Sequence, residues 1–260
     1  NAWRYRRLRG AARNSSDHAR LRSCGGFMAS AWLQAIPSER CFELPTPVFQ
    51  ASVKLRLGMA VLPREQRCMC GRNAGPQPDH YLVCKYGHHR SLRHDQVANQ
   101  IKQCYTALGK VARVTGLDAV LPDASNGAHL IPDVYCPELA QVVDVSITFP
   151  GAAAYVAGAA NEDGWAAQER ETGKVRKYRA SAASVGLAFH PAVFETYGRA
   201  GLLFKAWFGD MVAEAEDRLP DGWSTNWAAR TFSAHFQQRI SVALQRGNAE
   251  VALQRARRDY

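Results

Sequence analysis

Residues 128–149 read AHLIPDVYCPELAQVVDVSITF. Two short apolar runs each carry one aspartate, Asp133 in IPDVY and Asp144 in QVVDVSITF. Their β-branched residues mark both runs as strands. A carboxylate inside such a run is unfavourable unless a partner offsets its burial. If the runs pair as neighbours, Asp133 and Asp144 point at one spot, where two carboxylates repel unless a cation lies between them. Mg²⁺ suits that position, because it prefers oxygen ligands and keeps bound waters. Such an ion acidifies a water and stabilises charge on a phosphoryl oxygen.

The flanking sequence supplies the rest of an α/β domain. In RHDQVANQIKQCYTALG (93–109), Val97, Ile101, Cys104, Tyr105 and Leu108 fall on one helical face, and Gly109 is the stop signal. VARVTGL (111–117) reads as a further strand. Helical pattern returns from Trp165 to Ala183, VGLAFHPAVF reads as a buried strand, and a helix follows near 201–216. In the C-terminal helix Phe232, Phe236, Ile240 and Leu244 recur every four residues. Upstream, Ala29 to about Leu62 reads helical, broken by Pro37, Pro45 and Pro47. There Phe49, Val53, Leu57 and Val61 form a period-four face that Pro63 ends. These patterns divide the chain into a basic helical linker (1–64), a cysteine–histidine unit (65–90), an α/β domain (91–220) and a C-terminal helical extension (221–260).

The formal net charge of +10 and a pI near 9.5 point to a polyanionic partner, the alternative being a merely soluble basic chain. Residues 1–22 hold seven arginines against one aspartate, as a nucleic-acid arm or a solvated helix face would. The start, NAWRYRRLRG, has no apolar signal core and reads as part of a longer chain. No apolar run of about 20 residues is present, so no membrane partner is expected. Seven cysteines in an unpatterned chain favour a reducing compartment and metal binding over disulfides.

Cys68, Cys70, His80 and Cys84 have the spacing C-x-C-x9-H-x3-C. Three thiolates and an imidazole complete a tetrahedral, structural Zn²⁺ site. Gly71 relieves the tight turn of the first pair, and His80 and Cys84 lie one helical turn apart. KYGHHRSLRHD follows, and its Arg90, Arg93 and His94 are candidate phosphate contacts. Asp95 is either an N-terminal cap of the next helix or a member of the site. In ERETGKVRKYRAS (169–181), Lys174 and Lys177 share a helix face and Tyr178 lies one turn beyond Lys174. They serve as basic groups beside the aspartates, or as a solvated face paired with Glu169 or Glu171.

The ordered string Cys68-x-Cys70-Gly, Asp79-His80, Cys84, Arg93-His94-Asp95, Pro132-Asp133, Asp144-Val145 and Lys174…Lys177-Tyr178 resembles the C-terminal region of site-specific non-LTR retrotransposon proteins. Those carry a CCHC zinc knuckle followed by a restriction-like endonuclease of the PD-(D/E)xK superfamily. The resemblance spans roughly residues 65–200. It implies a restriction-endonuclease-like mixed sheet flanked by helices, and a Mg²⁺-dependent DNA endonuclease that nicks target DNA to prime reverse transcription. Asp133 and Asp144 would hold Mg²⁺, Lys174 or Lys177 would be the catalytic lysine, and Tyr178 the tyrosine beside it. Target DNA, element RNA and an upstream reverse transcriptase domain would be its partners, and the nucleus its location. The chain departs from the wider superfamily at Ser146, where a lysine is expected two residues after the second acid. The competing expectation is a non-catalytic zinc-knuckle module that binds DNA or RNA on a degenerate nuclease fold.

Overall fold

A computed structural model describes residues 7–8, 10–62, 67–72, 79–86, 89–114, 121–122, 129–220, 222–224 and 226–254. Its helices are α1 (Ser15–Cys24), α2 (Thr46–Leu57), α3 (His80–Val83), α4 (His89–Ala107), α5 (Val156–Asn161), α6 (Trp165–Ser184), α7 (Leu202–Arg218) and α8 (Phe232–Gln254). The strands are β1 (Arg113–Val114), β2 (Leu121–Pro122), β3 (His129–Leu130), β4 (Val134–Cys136), β5 (Gln141–Thr148) and β6 (Ala188–Glu195). The fold is mixed α/β.

The opening stretch forms the centre of a four-stranded sheet of order β1-β4-β5-β6. Pro137 stops β4, a single 3-10 turn follows, and Ala140 takes the left-handed conformation (φ 51°) that reverses the chain into β5. β4 and β5 therefore pair antiparallel, with Val134 opposite Val143, whereas β5 and β6 run parallel from Gln141↔Ala188 to Thr148↔Glu195. The parallel pair needs a crossover, and α5 and α6 supply it. IPDVY enters the sheet only from Val134 onward; Asp133 precedes the strand. Of VARVTGL, Arg113 and Val114 form β1, and residues 115–117 lie outside the described residues.

Alternation along β5 assigns its two faces. Val143 and Val145, with Val134, Cys136, Ala192 and Phe194, pack beneath α4, α7 and α8. Val142 packs with Tyr178, Ala182 and Phe189 under α6 on the other face. The expected stripe of α4 is buried throughout: Val97, Ile101, Cys104 and Tyr105 at 0% exposure, Leu108 at 5%. Gly109 (φ 73°) closes the helix while the Lys110 N–H bonds the Tyr105 carbonyl. Phe232, Phe236, Ile240 and Leu244 of α8 join the same core, each contributing about 1.5–3 kcal/mol by burial. α8 crosses α4 closely at Gly247, where a Cβ would lie 2.6 Å from Arg93 Cγ and 3.0 Å from Arg93 Cα.

The N-terminal half corrects three expectations. Pro47 starts α2 rather than breaking it, as suits a first-turn position lacking a partner for its N–H. α2 ends at Gly58 (φ 69°), not at Pro63, which lies outside the described residues. Its buried face is Ala51, Ser52 and Leu55, while Phe49 and Leu57 are exposed at 43% and 58%. The physical reason is docking: α2 lies on α8, and the Ser52 hydroxyl donates to the carbonyl of Gln245 at 3.2 Å. That contact rotates the helix away from its most apolar face. Among the described residues no helix is long and apolar enough to cross a membrane.

Candidate metal centre and acid–lysine site

The four zinc-type ligands converge. Cys68, Cys70, His80 and Cys84 place their ligand atoms within 4.8 Å of one another. Cys68 Sγ lies 3.7 Å from Cys84 Sγ, and Cys70 Sγ lies 3.3 Å from His80 Nε2. Two thiolates bound tetrahedrally at about 2.3 Å sit about 3.8 Å apart, so the donor set and its spacing fit Zn²⁺ with all four positions filled by protein. Local backbone bonds hold the turn: Gly71 N–H to Cys68 O at 2.8 Å, and Cys68 N–H to Arg72 O at 2.9 Å. Gly71 itself takes φ 85°, where a side chain would be strained. α3 then presents His80, and the Cys84 N–H bonds the His80 carbonyl at 2.9 Å.

This unit is docked on the fold by its own ligands. Cys68, Cys84, Tyr81 and Leu82 pack with Leu55 of α2 and with Ala249 and Ala252 of α8. The Tyr197 hydroxyl adds a donor to Asp79 Oδ1 at 2.5 Å. Burial raises the Asp79 pKa, and the Tyr197 bond opposes that rise.

The second assembly lies where β4 meets β5. Extending the register by one step from Val134↔Val143 sets Asp133 against Asp144. Here β4 peels away. The Asp133 N–H still bonds the Val143 carbonyl at 3.0 Å, but the Val145 N–H is taken at 2.6 Å by Asp133 Oδ2, not by a backbone carbonyl. Asp144 is 3% exposed and ion-paired with Lys174 Nζ. Burial raises its pKa, the Lys174 charge opposes the rise, and Asp133 adds to it. Tyr178 is buried close to Asp144 and stacks on Phe189 with centroids 5.1 Å apart. Burial, then the Asp144 charge, raises the Tyr178 pKa.

The two candidate lysines differ. Lys174 reaches Asp144, while Lys177 is exposed and lies over the Tyr178 ring at 5.1 Å from its centroid. A solvated face paired with Glu169 or Glu171 does not describe Lys174. Glu171 turns the other way and accepts the N–H groups of Leu203 and Phe204 at the start of α7.

His94 joins the acids directly. Its Nε2 lies 3.1 Å from both Asp133 Oδ2 and the Val145 carbonyl, and its Nδ1 is 3.1 Å from Asp95 Oδ1. Burial disfavours the imidazolium, but the Asp133 carboxylate, then Asp95 and the Val145 carbonyl, raise its pKa to about 9. Asp95 is not an N-terminal cap, because α4 begins six residues earlier at His89.

An open cleft of about 520 Å³ borders this site at His94, Val145 and Lys174, and its lining also includes Lys85, Arg90, Arg170 and one acid, Asp95. Arg93 is the exception to the expected phosphate surface. It is 2% exposed, donates from Nη1 to Asn248 Oδ1 at 2.8 Å, and burial lowers its pKa to about 10. It belongs to the α4–α8 contact. Arg170 escapes a reading centred on lysines, although Arg170, Lys174 and Tyr178 recur every four residues along α6. Its Nε donates to Ser146 Oγ at 2.9 Å, at the position two residues beyond Asp144. No family model matches the chain, and no curated protein sequence matches it.

Proposed function

We propose that the chain is a metal-dependent DNA endonuclease module, of the restriction-like kind that its motifs resemble. The observation that supports this most is the Asp144–Lys174 pair, with Asp133 next to the Val134↔Val143 pair and a basic cleft bordering Lys174. Asp133, Asp144 and the Val145 carbonyl form an all-oxygen donor set of the type Mg²⁺ takes. Bound there, the ion would supply an acidified water and neutralise charge on the phosphoryl oxygens. Lys174 then stands beside the acids as the group that orients or neutralises the attacking oxygen, and Tyr178 closes the site next to Asp144. The Cys3His centre, read as zinc, is structural. In this reading target DNA is the substrate, an upstream reverse transcriptase and element RNA are partners, and the nucleus is the location.

The test is cleavage of supercoiled DNA by the purified chain in Mg²⁺. Nicking is expected, and Asp144→Ala is expected to abolish it while DNA affinity stays within about threefold, with circular dichroism confirming the fold. Equal nicking by that variant would falsify the assignment.

One observation favours a second reading. Each acid already has a cationic side-chain partner, Lys174 for Asp144 and His94 for Asp133, so the quartet is satisfied without Mg²⁺. A non-catalytic nucleic-acid-binding module on a degenerate nuclease fold fits that balance. It predicts zinc binding and salt-sensitive DNA affinity, with no effect of Mg²⁺ on the DNA.

A further inference from the structure

We propose that Arg170 is the phosphate-binding residue of the cleft, held by Ser146 so that its two outer nitrogens grip one backbone phosphate of a nucleic-acid strand. The inference rests on the nucleic-acid side of the reading above and leaves cleavage aside. Arg170 is exposed on α6, four residues before Lys174, and lines the cleft together with Ser146. Its Nε–H donates to Ser146 Oγ at 2.9 Å. Ser146 is 6% exposed on the rigid strand β5, on the same face as Asp144. That bond ties the guanidinium to the strand through Nε.

Among the described residues, Nη1 and Nη2 of Arg170 have no hydrogen-bond acceptor, and Arg170 has no carboxylate partner. The other arginines that hold this part of the molecule together spend their outer nitrogens on protein. Arg22 and Arg199 take Asp163, and Arg93 takes Asn248. A guanidinium anchored through Nε and open at both Nη atoms presents a planar fork, which matches two oxygens of a phosphate. The local charge also points to an anion. Arg170, Lys85, Arg90 and Lys174 line the cleft against one carboxylate, Asp95, so basic side chains outnumber acids there. A phosphodiester strand offers the complementary group at regular spacing.

The experiment measures affinity of a fluorescently labelled short DNA duplex in Mg²⁺-free buffer over a range of salt, for the parent chain, R170A, R170K, S146A and R176A. Arg176 is exposed on the same helix and does not line the cleft, so R176A is the matched control for loss of one charge. R170A is expected to weaken binding by about 10- to 100-fold and to reduce the salt slope by about one. R170K is expected to restore the slope but not the affinity, because a lysine keeps the charge without the fork. S146A is expected to weaken binding less than R170A and leave the slope unchanged. An R170A protein that binds like the parent, or no worse than R176A, overturns the proposal, as does a parent chain with no salt-dependent affinity for the duplex. Failure of the parent to nick DNA in Mg²⁺ refutes the endonuclease reading, and the binding series still decides Arg170. Each substituted side chain is either exposed or loses only a hydroxyl, and a thermal melt of every variant checks that the fold is kept.

Discussion

The metal centre and the acid–lysine site are built in opposite ways. The centre draws four ligands from residues 68–84, and its own backbone turns, closed by Gly71 and α3, bring the sulfurs to 3.7 Å. The acid site draws Asp133 from the edge of β4, Asp144 from β5, Lys174 and Tyr178 from α6, and His94 from α4. The first is a local unit whose four converging side chains offer an ion a complete tetrahedral site, and an ion bound there would add to its stability. The second is held by the sheet and two helices, and its charges pair with one another. Removing a ligand should therefore act on stability in the first region. Removing a side chain should act on chemistry and charge in the second.

The largest effect is expected at the metal centre. Structural zinc sites carry apparent binding free energies of about 10–16 kcal/mol at neutral pH. Cys84→Ser, or a strong chelator, should release one zinc per chain, measured by a colorimetric zinc assay. It should also lower the melting temperature by more than about 10 °C, roughly 3–5 kcal/mol for a chain of this size. Because Cys68 and Cys84 pack on Leu55, Ala249 and Ala252, amide exchange should quicken at the α2–α8 contact as well as in the unit. A purified chain with no zinc and no response to chelator breaks the comparison, leaving the cysteines as ordinary thiols.

A smaller effect separates the two lysines. Lys174→Ala leaves the Asp144 carboxylate at 3% exposure without its cation. Breaking such a pair costs about 3 kcal/mol, limited because the carboxyl, its pKa already raised by burial, takes up a proton. Lys177→Ala removes an exposed group lying over the Tyr178 ring, for about 0.5 kcal/mol or less. Urea unfolding of both variants reads the difference. Nicking, where present, should vanish in Lys174→Ala and persist in Lys177→Ala. Equal stability losses would mean that the ion pair does not hold the site.

How much of this was legible in the sequence follows the same division. Ligand spacing is a local property, so Cys68, Cys70, His80 and Cys84 could be read directly. The apolar stripes of α4 and α8 were equally plain, because both helices bury one continuous face. The face of α2 was not, since its orientation is set by docking on α8, a partner almost 200 residues away. Arg93 looked like a surface charge because it sits in a basic run. Yet Arg93, Val97 and Ile101 recur every four residues, which carries the buried stripe back to the arginine. The same period along Arg170, Lys174 and Tyr178 would have found Arg170. The cross-strand meeting of Asp133 and Asp144 was readable as a hairpin, but the link from His94 to Asp133 joins residues 39 apart and leaves no local pattern.

The smallest effect concerns that link and tests whether the acid site is balanced by its own side chains. His94 has a folded pKa of about 9 against about 6.5 in the unfolded chain. A raised histidine pKa contributes stability that is fully present below pH 6.5 and is lost as pH rises through about 9. The groups facing it are the Asp133 and Asp95 carboxylates and the Val145 carbonyl. Because the side chain is 30% exposed, solvent screening reduces the contribution to about 1–2 kcal/mol. The stability gap between the parent and His94→Gln should be widest near pH 6 and close by about pH 9.5, in urea melts run at both pH values. His235, whose pKa burial lowers to about 4, acts in a lower window and cancels in the difference. A gap that stays constant across this range would mean that His94 is neutral against Asp133. The acid pair would then carry an unbalanced negative charge, and its need for a metal ion would be correspondingly greater.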